Sequence, residues 1–375
     1  MAVARGRALL AASFVTEADL LPNPTLSSAH DRSVTADGEH ETVIGIEVPL
    51  GIGGRRGLLQ SAAVARQAQA QLETSHGRVI SALSFRRTFV KASLTRARVD
   101  LLNARQRMLA SLVEKLDKLQ DGGDRARLDR DRLRVEAALS AANMARHKRE
   151  LQAHRVWLEI VLGAAVDLSD APLRRTGGGL PSVDDSSALN LKVAALTKAA
   201  EASEIEAAAA RRRWVPDLAV FAGYRMVGGR NVELGHGLSL GMSLPLTFFD
   251  HGQAEAERAN AHAALATAAA ARERRLARAA TQAARARLTE IARTTPGVKK
   301  AVELARKAER GTERLYLAGE SKLLDVLQAA RSRSELELVL IDLAAAESDA
   351  LLSLARARGR FAEKSLDAAC TGGPP

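Results

Sequence analysis

The feature that most constrains this sequence is a repeat that covers almost the whole chain. Three landmarks occur in the same order in both halves of the 375 residues, and the second copies follow the first by 194, 196 and 196 positions. The first landmark is a proline before a short apolar segment, at Pro22 and Pro216. The second is an apolar-Pro-Leu triplet, at residues 48–50 and 244–246, and the third is a stretch containing Gly, Leu and Asp, at residues 123–129 and 319–325. Landmarks that recur at nearly one spacing are typical of two structural repeats.

The repeat sets the expected domain boundaries. We expect the first repeat over residues 1–166, with a helix, a β-hairpin, a long helix, a turn and a second helix, and the second repeat over residues 188–361. Proline and glycine concentrate between them, in residues 167–187, which predicts a linker. Residues 362–375 end in Gly-Gly-Pro-Pro and predict a disordered tail.

Short segments of alternating polarity form the second signal. In residues 238–246 every even position is Leu or Met, whereas the odd positions are Ser, Gly or Pro. A period of two predicts a β-strand with one apolar and one polar face. Weaker alternation predicts three further strands, in residues 25–34, 43–50 and 218–226. The four strands give two β-hairpins per chain, with loops at Asp37-Gly38 and Gly228-Gly229.

Long helical segments make up the rest of each repeat. Residues 55–119 contain no proline, and a helix of that span would be on the order of 95 Å long. Apolar residues recur there at alternating steps of three and four, interrupted once by Arg87, and this spacing predicts coiled-coil packing. These residues are Ile80, Leu83, Val90, Leu94, Ala97, Leu101, Ala104 and Met108. The expected fold class is therefore mainly α, with long coiled-coil helical hairpins and a small antiparallel β part.

Composition excludes several classes of protein. The single cysteine, Cys370, excludes a disulfide scaffold, and no stretch approaches the ~18–20 consecutive apolar residues of a transmembrane helix. The eight histidines form no metal-ligand pattern. Because no nucleophile and base stand together either, we expect no enzyme, no metal site and no cofactor.

Charge gives a weaker signal. The chain carries 55 Lys and Arg against 44 Asp and Glu, a formal net charge of +11. A basic surplus suits a nucleic-acid-binding protein, but charges of both signs are interleaved along the predicted helices and aromatic residues make up only 3%. We therefore expect solvated helical surfaces and no nucleic-acid partner.

The two amphipathic hairpins predict an assembly of several chains. Four strands alone in lipid would leave unpaired backbone groups at the edges of the sheet. Three copies of four strands would form a twelve-stranded barrel of ordinary size, from which the long helices would project as a tube. The alternative is a soluble coiled-coil scaffold or interaction protein, in which the same segments pair as hairpins outside a membrane.

Five stretches carry a resemblance to a known family. In chain order they are residues 20–26, 214–218, 243–246, 249–253 and 317–327; the second reads Trp-Val-Pro-Asp-Leu and the fourth Phe-Asp-His-Gly-Gln. Together with the internal repeat, these stretches make roughly residues 1–361 resemble the TolC-type outer-membrane efflux proteins.

The resemblance implies a homotrimer with a twelve-stranded β-barrel in the outer membrane and an α-helical tunnel in the periplasm. It implies the channel component of a tripartite efflux pump, a passive exit duct for small molecules or metal ions that performs no chemistry. The implied partners are a periplasmic adaptor protein, an inner-membrane transporter reached through that adaptor, and outer-membrane lipid.

The resemblance also assigns roles to residues. Two periplasmic tip turns that dock the adaptor correspond to Gly123, Leu128 and Asp129 and to Gly319, Leu323 and Leu324. Each glycine can take the left-handed backbone conformation of a tight turn. Asp325 and Gln328 correspond to the entrance constriction, although Gln328 stands where the family has a second aspartate. The aspartates have a simpler alternative role, stabilisation of helix N-termini.

Two expectations concern the ends of predicted helices. Arg213 and Trp214 lie at a helix-to-strand junction, which predicts a membrane-interface anchor, with an ordinary exposed basic patch as the alternative. Residues 1–21 match residues 195–215 at the offset of 194, so we expect a truncated helix. A short signal peptide with Arg5, Arg7 and an apolar stretch is the alternative. If the helix is correct, a signal peptide is missing from this chain.

Overall fold

The computed structural model describes residues 2–32, 39–118, 123–166, 168, 190–229 and 232–359. The helices are Ala2–Asp19 (α1), Arg55–Lys118 (α2), Gly123–Leu162 (α3), Leu191–Arg211 (α4), Gln253–Leu317 (α5) and Leu323–Arg358 (α6). The strands are Thr25–Arg32 (β1), His40–Leu50 (β2), Leu218–Gly229 (β3) and Val232–Ser243 (β4). A mainly helical chain with a small antiparallel sheet was predicted, and it is confirmed.

Contacts divide the chain into two compact units, each with a part of both predicted repeats. Unit 1 comprises the described residues of Met1–Arg78 and Leu189–Arg275, and unit 2 those of Val79–Ala188 and Leu276–Pro375. The repeat boundaries, 1–166 and 188–361, therefore stay a prediction. The predicted linker and tail lie almost wholly outside the described residues.

Unit 1 contains the sheet, in the order β1-β2-β3-β4 with every pair antiparallel. Ile46 lies opposite both Leu26 and Ala222, and Ala222 lies opposite Leu240. Residues opposite one another project to the same side of a sheet, so the even-numbered residues of all four strands share one face. The predicted hairpin loop at Gly228-Gly229 is wrong, because both residues belong to β3: Gly228 pairs with His40 of β2 and Gly229 with Val232 of β4. The pairing of β3 with β4 has a register shift between Val227 and Gly229. The loop predicted at Asp37-Gly38 lies outside the described residues.

The helices of unit 1 pack through small side chains. Most buried residues of α4 are alanines, and so are the buried residues that α5 contributes to this unit, Ala256, Ala259, Ala263 and Ala270. Arg66 of α2 donates from Nε and Nη2 to the two carboxylate oxygens of Glu206 on α4, at 3.0 and 2.9 Å. This bidentate pair fixes α2 against α4.

Unit 2 has an apolar core drawn from three helices. Its larger cluster contains Leu109 and Leu112 of α2, Leu133 of α3, and Leu323, Val326 and Leu327 of α6. The predicted α2 seam is confirmed at Leu83 and Leu94, which are buried. It is shifted further along the helix: Ala97, Leu101, Ala104 and Met108 are half-buried, whereas Val99, Leu102 and Leu109 are buried. None of the helices among the described residues is both long and apolar enough to cross a membrane.

Candidate functional site: a sheet surface and two helical turns

One face of the sheet is apolar and exposed. We call the even-numbered residues of β1 to β4 the apolar sheet face. Leu238, Leu240 and Met242 are 84%, 79% and 79% exposed, and the other strands add exposed apolar residues: Leu26, Ile44, Ile46, Val48, Leu50, Val220 and Tyr224. A contiguous apolar surface of this kind is typical of a partner-binding or lipid-facing site.

The opposite face is polar and rich in glycine, and we call it the polar sheet face. Arg225 Nε lies 2.9 Å from Glu41 Oε1, and Ser243 Oγ donates to Glu47 Oε1 at 2.9 Å. Gly45, Gly223 and Gly241 lie on the same face. The sheet therefore has one side suited to an apolar medium and one suited to water.

The edges of the sheet are open within one copy. Among the described strands, β1 pairs only with β2 and β4 only with β3. The outward backbone N–H and C=O groups of β1 and β4 therefore have no strand partner in the described part of a single chain. Open edges of this kind pair readily with another strand.

Aromatic residues gather at the sheet and at its junction with the helices. The chain has only two Trp, two Tyr and seven Phe, yet five of these lie within residues 214–249: Trp214, Phe221, Tyr224, Phe248 and Phe249. Trp214, Phe248 and Phe249 are strongly exposed. Exposed aromatic rings beside an apolar band are typical of the border of a membrane-embedded sheet.

Arg213 is held by ion pairs at this junction. Its guanidinium lies 3.3 Å from Asp250 Oδ2 and 3.6 Å from Glu255 Oε2. Glu255 also pairs with Arg55, at 3.6 Å. Arg213 thus connects the end of α4 to the start of α5, whereas the adjacent Trp214 side chain is 65% exposed.

The Phe-Asp-His-Gly-Gln stretch forms a compact start for α5. The Gly252 N–H donates to Asp250 Oδ1 at 3.0 Å, and Gln253 Nε2 donates to the Phe249 carbonyl oxygen at 2.9 Å. Gly252 has φ +86°, and a Cβ there would overlap the Ala210 carbonyl group at the end of α4. The motif therefore joins α4 to α5, and only glycine fits at position 252.

The turn between α5 and α6, residues 318–322, closes as the sequence predicted for Gly319. Gly319 has φ +81°, its N–H donates to the Tyr316 carbonyl oxygen at 3.0 Å, and the Glu320 N–H donates to that of Leu315 at 2.9 Å. These two bonds define a Schellman motif. Lys322 N–H donates to Asp325 Oδ2 at 3.1 Å, so Asp325 also stabilises the start of α6.

The other residues predicted near this turn have two different surroundings. Leu323 is 1% exposed and belongs to the core of unit 2, so it cannot be a surface contact in this structure. Leu324 is 57% exposed, and Asp325 and Gln328 are exposed beside it. One apolar and two polar side chains therefore form the surface at the start of α6.

The start of α3 differs from the start of α6. Gly123 is the first helical residue of α3, which corrects the expectation that it supplies a left-handed turn residue. The preceding residue is also glycine, and it lies outside the described residues. Leu128 is exposed, whereas the Asp129 side chain is mostly covered and lies 3.8 Å from Arg132 Nη1.

Sequence reasoning missed a set of buried ion pairs in unit 2. Arg105 lies 3.1 Å from Glu136, and Arg306 lies 2.7 Å from Glu337. Both pairs span 31 residues across a helical hairpin, and both glutamates are buried. The equal spacing of Arg and Glu in the two halves is the sequence signal that could have revealed them.

Further arginines complete these pairs. Glu136 also pairs with Arg331, and Arg333 joins Glu337, at 3.2 Å, to Glu309, at 2.6 Å. Burial, followed by repulsion from Arg331, lowers the pKa of Arg105. Burial also acts to lower the pKa of Arg333, but its hydrogen bond and charge interaction with Glu309 raise it overall. Each buried carboxylate is therefore compensated by at least one guanidinium.

The comparisons with known proteins agree with this architecture. No family model matches the sequence, and no curated protein matches it. Solved structures do match. The outer-membrane channel OprN matches with a TM-score of 0.82 at 20% identity, and the match covers 95% of this chain and 86% of the OprN chain. The outer membrane protein VceC of Vibrio cholerae has a TM-score of 0.75 at 17% identity, covering 96% of this chain and 92% of its own.

A third structure points the same way. CusC, described for its transmembrane channel formation, has a TM-score of 0.75 at 16% identity and covers 96% of this chain and 88% of its own. Identities this low establish the fold alone. This chain therefore shares the fold of the TolC-type outer-membrane efflux channels, and the resemblance predicted from the sequence is confirmed at that level.

Proposed function

We propose that this chain is the outer-membrane component of a tripartite efflux pump and acts as a passive exit duct for small molecules or metal ions. The observation that carries the proposal is the apolar sheet face, because Leu238, Leu240 and Met242 are exposed in a single copy. Lipid is the partner that fits a sheet with one apolar side and one polar side. The shared fold supports the same function.

Closure of the sheet requires further copies. Each chain supplies four strands with open edges at β1 and β4, and three copies supply twelve strands, an even number within the range of outer-membrane barrels. In the homotrimer, β1 of one copy pairs with β4 of the next. The apolar sheet face then contacts lipid and the polar sheet face lines a lumen.

The junction residues mark the border of the embedded region in this proposal. Trp214, Phe248 and Phe249 form an aromatic border on the periplasmic side, where amphipathic rings are stabilised at the headgroup level. Arg213 supports that border through its pairs with Asp250 and Glu255. Its role is to hold the helix ends together beneath the sheet.

The helical turns are the proposed docking surface for the periplasmic adaptor, which connects the duct to the inner-membrane transporter. Leu128 and Leu324 are exposed and offer apolar contacts, whereas Gly123, Asp129, Gly319 and Leu323 shape and support the two turns. Asp325 and Gln328 are proposed to line the entrance constriction. Because Gln328 carries no charge, this entrance has one acidic side chain per copy at these two positions.

The soluble coiled-coil scaffold is the less favoured function. A soluble scaffold would cover its apolar sheet face with its own chain, yet Leu238, Leu240 and Met242 of β4 are 84%, 79% and 79% exposed. No observation in the described residues favours the scaffold over the duct.

Purification in detergent and reconstitution into planar lipid bilayers test the proposal. We expect a trimer that dissociates on heating and discrete ionic conductance steps after reconstitution. A monodisperse protein that remains a monomer or dimer in detergent-free buffer, with no conductance, would contradict the proposed duct.

A further inference from the structure

A lone aromatic side chain lies on the polar sheet face. Phe221 of β3 pairs with Glu47 of β2 on one side and with Gly241 of β4 on the other. Opposite residues in an antiparallel sheet project to the same side, with Cβ atoms about 4.5–5.5 Å apart. Phe221 and Glu47 therefore project from paired positions on one face of the sheet.

The backbone is shaped to receive this ring. A Cβ at Gly45 would lie 2.5 Å from Phe221 Cε2, and a Cβ at Gly223 would lie 2.7 Å from Phe221 Cζ. Gly45 is buried although it belongs to a largely exposed sheet. The ring occupies the space that side chains at positions 45 and 223 would fill, and the half-buried Phe221 keeps part of its surface open.

The charges nearby leave one carboxylate on the same face as the ring. Glu47 accepts a hydrogen bond from Ser243 Oγ at 2.9 Å, which orients the carboxylate without neutralising it. Arg225, the basic residue of the same face on β3, is paired with Glu41 at 2.9 Å. An aromatic ring and an oriented carboxylate on one face are a combination that attracts organic cations.

We propose that Phe221 and Glu47 form a contact site for aromatic or lipophilic organic cations on the wall of the lumen. The proposal rests on the proposed function, because it requires the polar sheet face to line a lumen. The ring binds the cation through its π-electrons and the carboxylate adds the opposite charge. Three copies present three such sites, each weak enough for the cargo to leave, as conduction requires.

Single-channel block of the reconstituted protein tests the site. The probe is benzyltriethylammonium, and toluenesulfonate, an anion of similar size, is the charge control. We expect the cation to reduce the K⁺ current, and we expect Phe221→Ala or Glu47→Gln to raise its half-blocking concentration about threefold to tenfold. Val220→Ala, on the apolar sheet face next to Phe221, is the matched control and leaves the block unchanged.

The outcomes separate the site from the duct. Equal block of the wild type, Phe221→Ala and Glu47→Gln, with normal conductance, overturns the site and leaves the duct standing. Block by toluenesulfonate as strong as that by the cation also overturns it. If the wild type forms no channel, the proposed function fails and the site with it. Should Phe221→Ala not assemble, the block of Glu47→Gln decides whether the site exists, because this variant keeps the ring over Gly45 and Gly223.

Discussion

At the scale of single residues, the backbone requires glycine at the turn between α5 and α6. Gly319 adopts φ +81°, a conformation that costs an L-residue about 1–2 kcal/mol. Gly311, eight residues earlier, lies inside α5, and a Cβ added there would have no atom within 4 Å outside its own helix backbone and chain neighbours. The same substitution at these two positions should therefore have opposite effects.

We predict that Gly319→Ala lowers the free energy of unfolding by about 1 kcal/mol or more, because the left-handed conformation is strained with a Cβ. Gly311→Ala should raise it by about 0.5–1 kcal/mol, since alanine is the better helix former. Urea denaturation of the purified variants measures both changes. Equal effects of the two substitutions would show that residue 319 does not need a left-handed backbone.

Buried and exposed ion pairs should also differ in how much they contribute to the free energy of unfolding. Glu136→Ala leaves Arg105 without its carboxylate in the interior of unit 2, and we predict a loss of about 2–3 kcal/mol. This is below the loss typical of a fully buried pair, because the second partner, Arg331, is half-exposed. Asp131→Ala, which removes an exposed pair with Arg134, should cost less than about 1 kcal/mol. Denaturation midpoints compare the two, and a larger loss for Asp131→Ala would contradict the prediction.

At the scale of elements, strands were easier to predict than the packing of helices. The alternation in residues 238–246 predicted the face of Leu238, Leu240 and Met242, because a period of two leaves only one choice of face. In α2, by contrast, Leu101 is followed by Leu102 and Met108 by Leu109. Two neighbouring phases are both apolar there, so periodicity alone could not select the buried seam.

The candidate site was predictable only where local chemistry determines it. The left-handed Gly319 follows from turn chemistry. The buried pairs of Glu136 and Glu337 join residues 31 positions apart on two helices of a hairpin, so no pattern within a single helix places them. Leu323 and Leu324 are chemically identical, and only tertiary packing decides which one is buried.

The two faces of β4 give a matched test at the scale of the element. We predict that Leu240→Arg reduces assembly into lipid bilayers strongly, because arginine on a lipid-facing strand costs about 2–4 kcal/mol near the middle of the bilayer. Ser239→Arg, the adjacent residue on the polar sheet face, should assemble normally. The fraction of heat-labile trimer after refolding into vesicles measures both, and equal assembly of the two variants would refute a lipid-facing role for Leu240.

At the scale of the whole molecule, the proposed barrel depends on how neighbouring copies complete the sheet. β1 and β4 are the two open edges within the described part of one chain, and the proposed trimer pairs them between copies. The chain spans 86% of OprN and 92% of VceC, so the comparison covers both the strands and the helices.

Disulfide trapping between these edges tests the closed sheet most directly. In a background with Cys370→Ser, Ser27→Cys on β1 is combined in turn with a cysteine at Ser239, Gly241 or Ser243 on β4, all on the polar sheet face. Val43→Cys on the central strand β2 replaces Ser27→Cys in the control. Closure by sister chains predicts that mild oxidation gives covalent dimers and trimers for at least one register and none for the control. Cross-links confined to single chains, or equal cross-linking of the control, would contradict it.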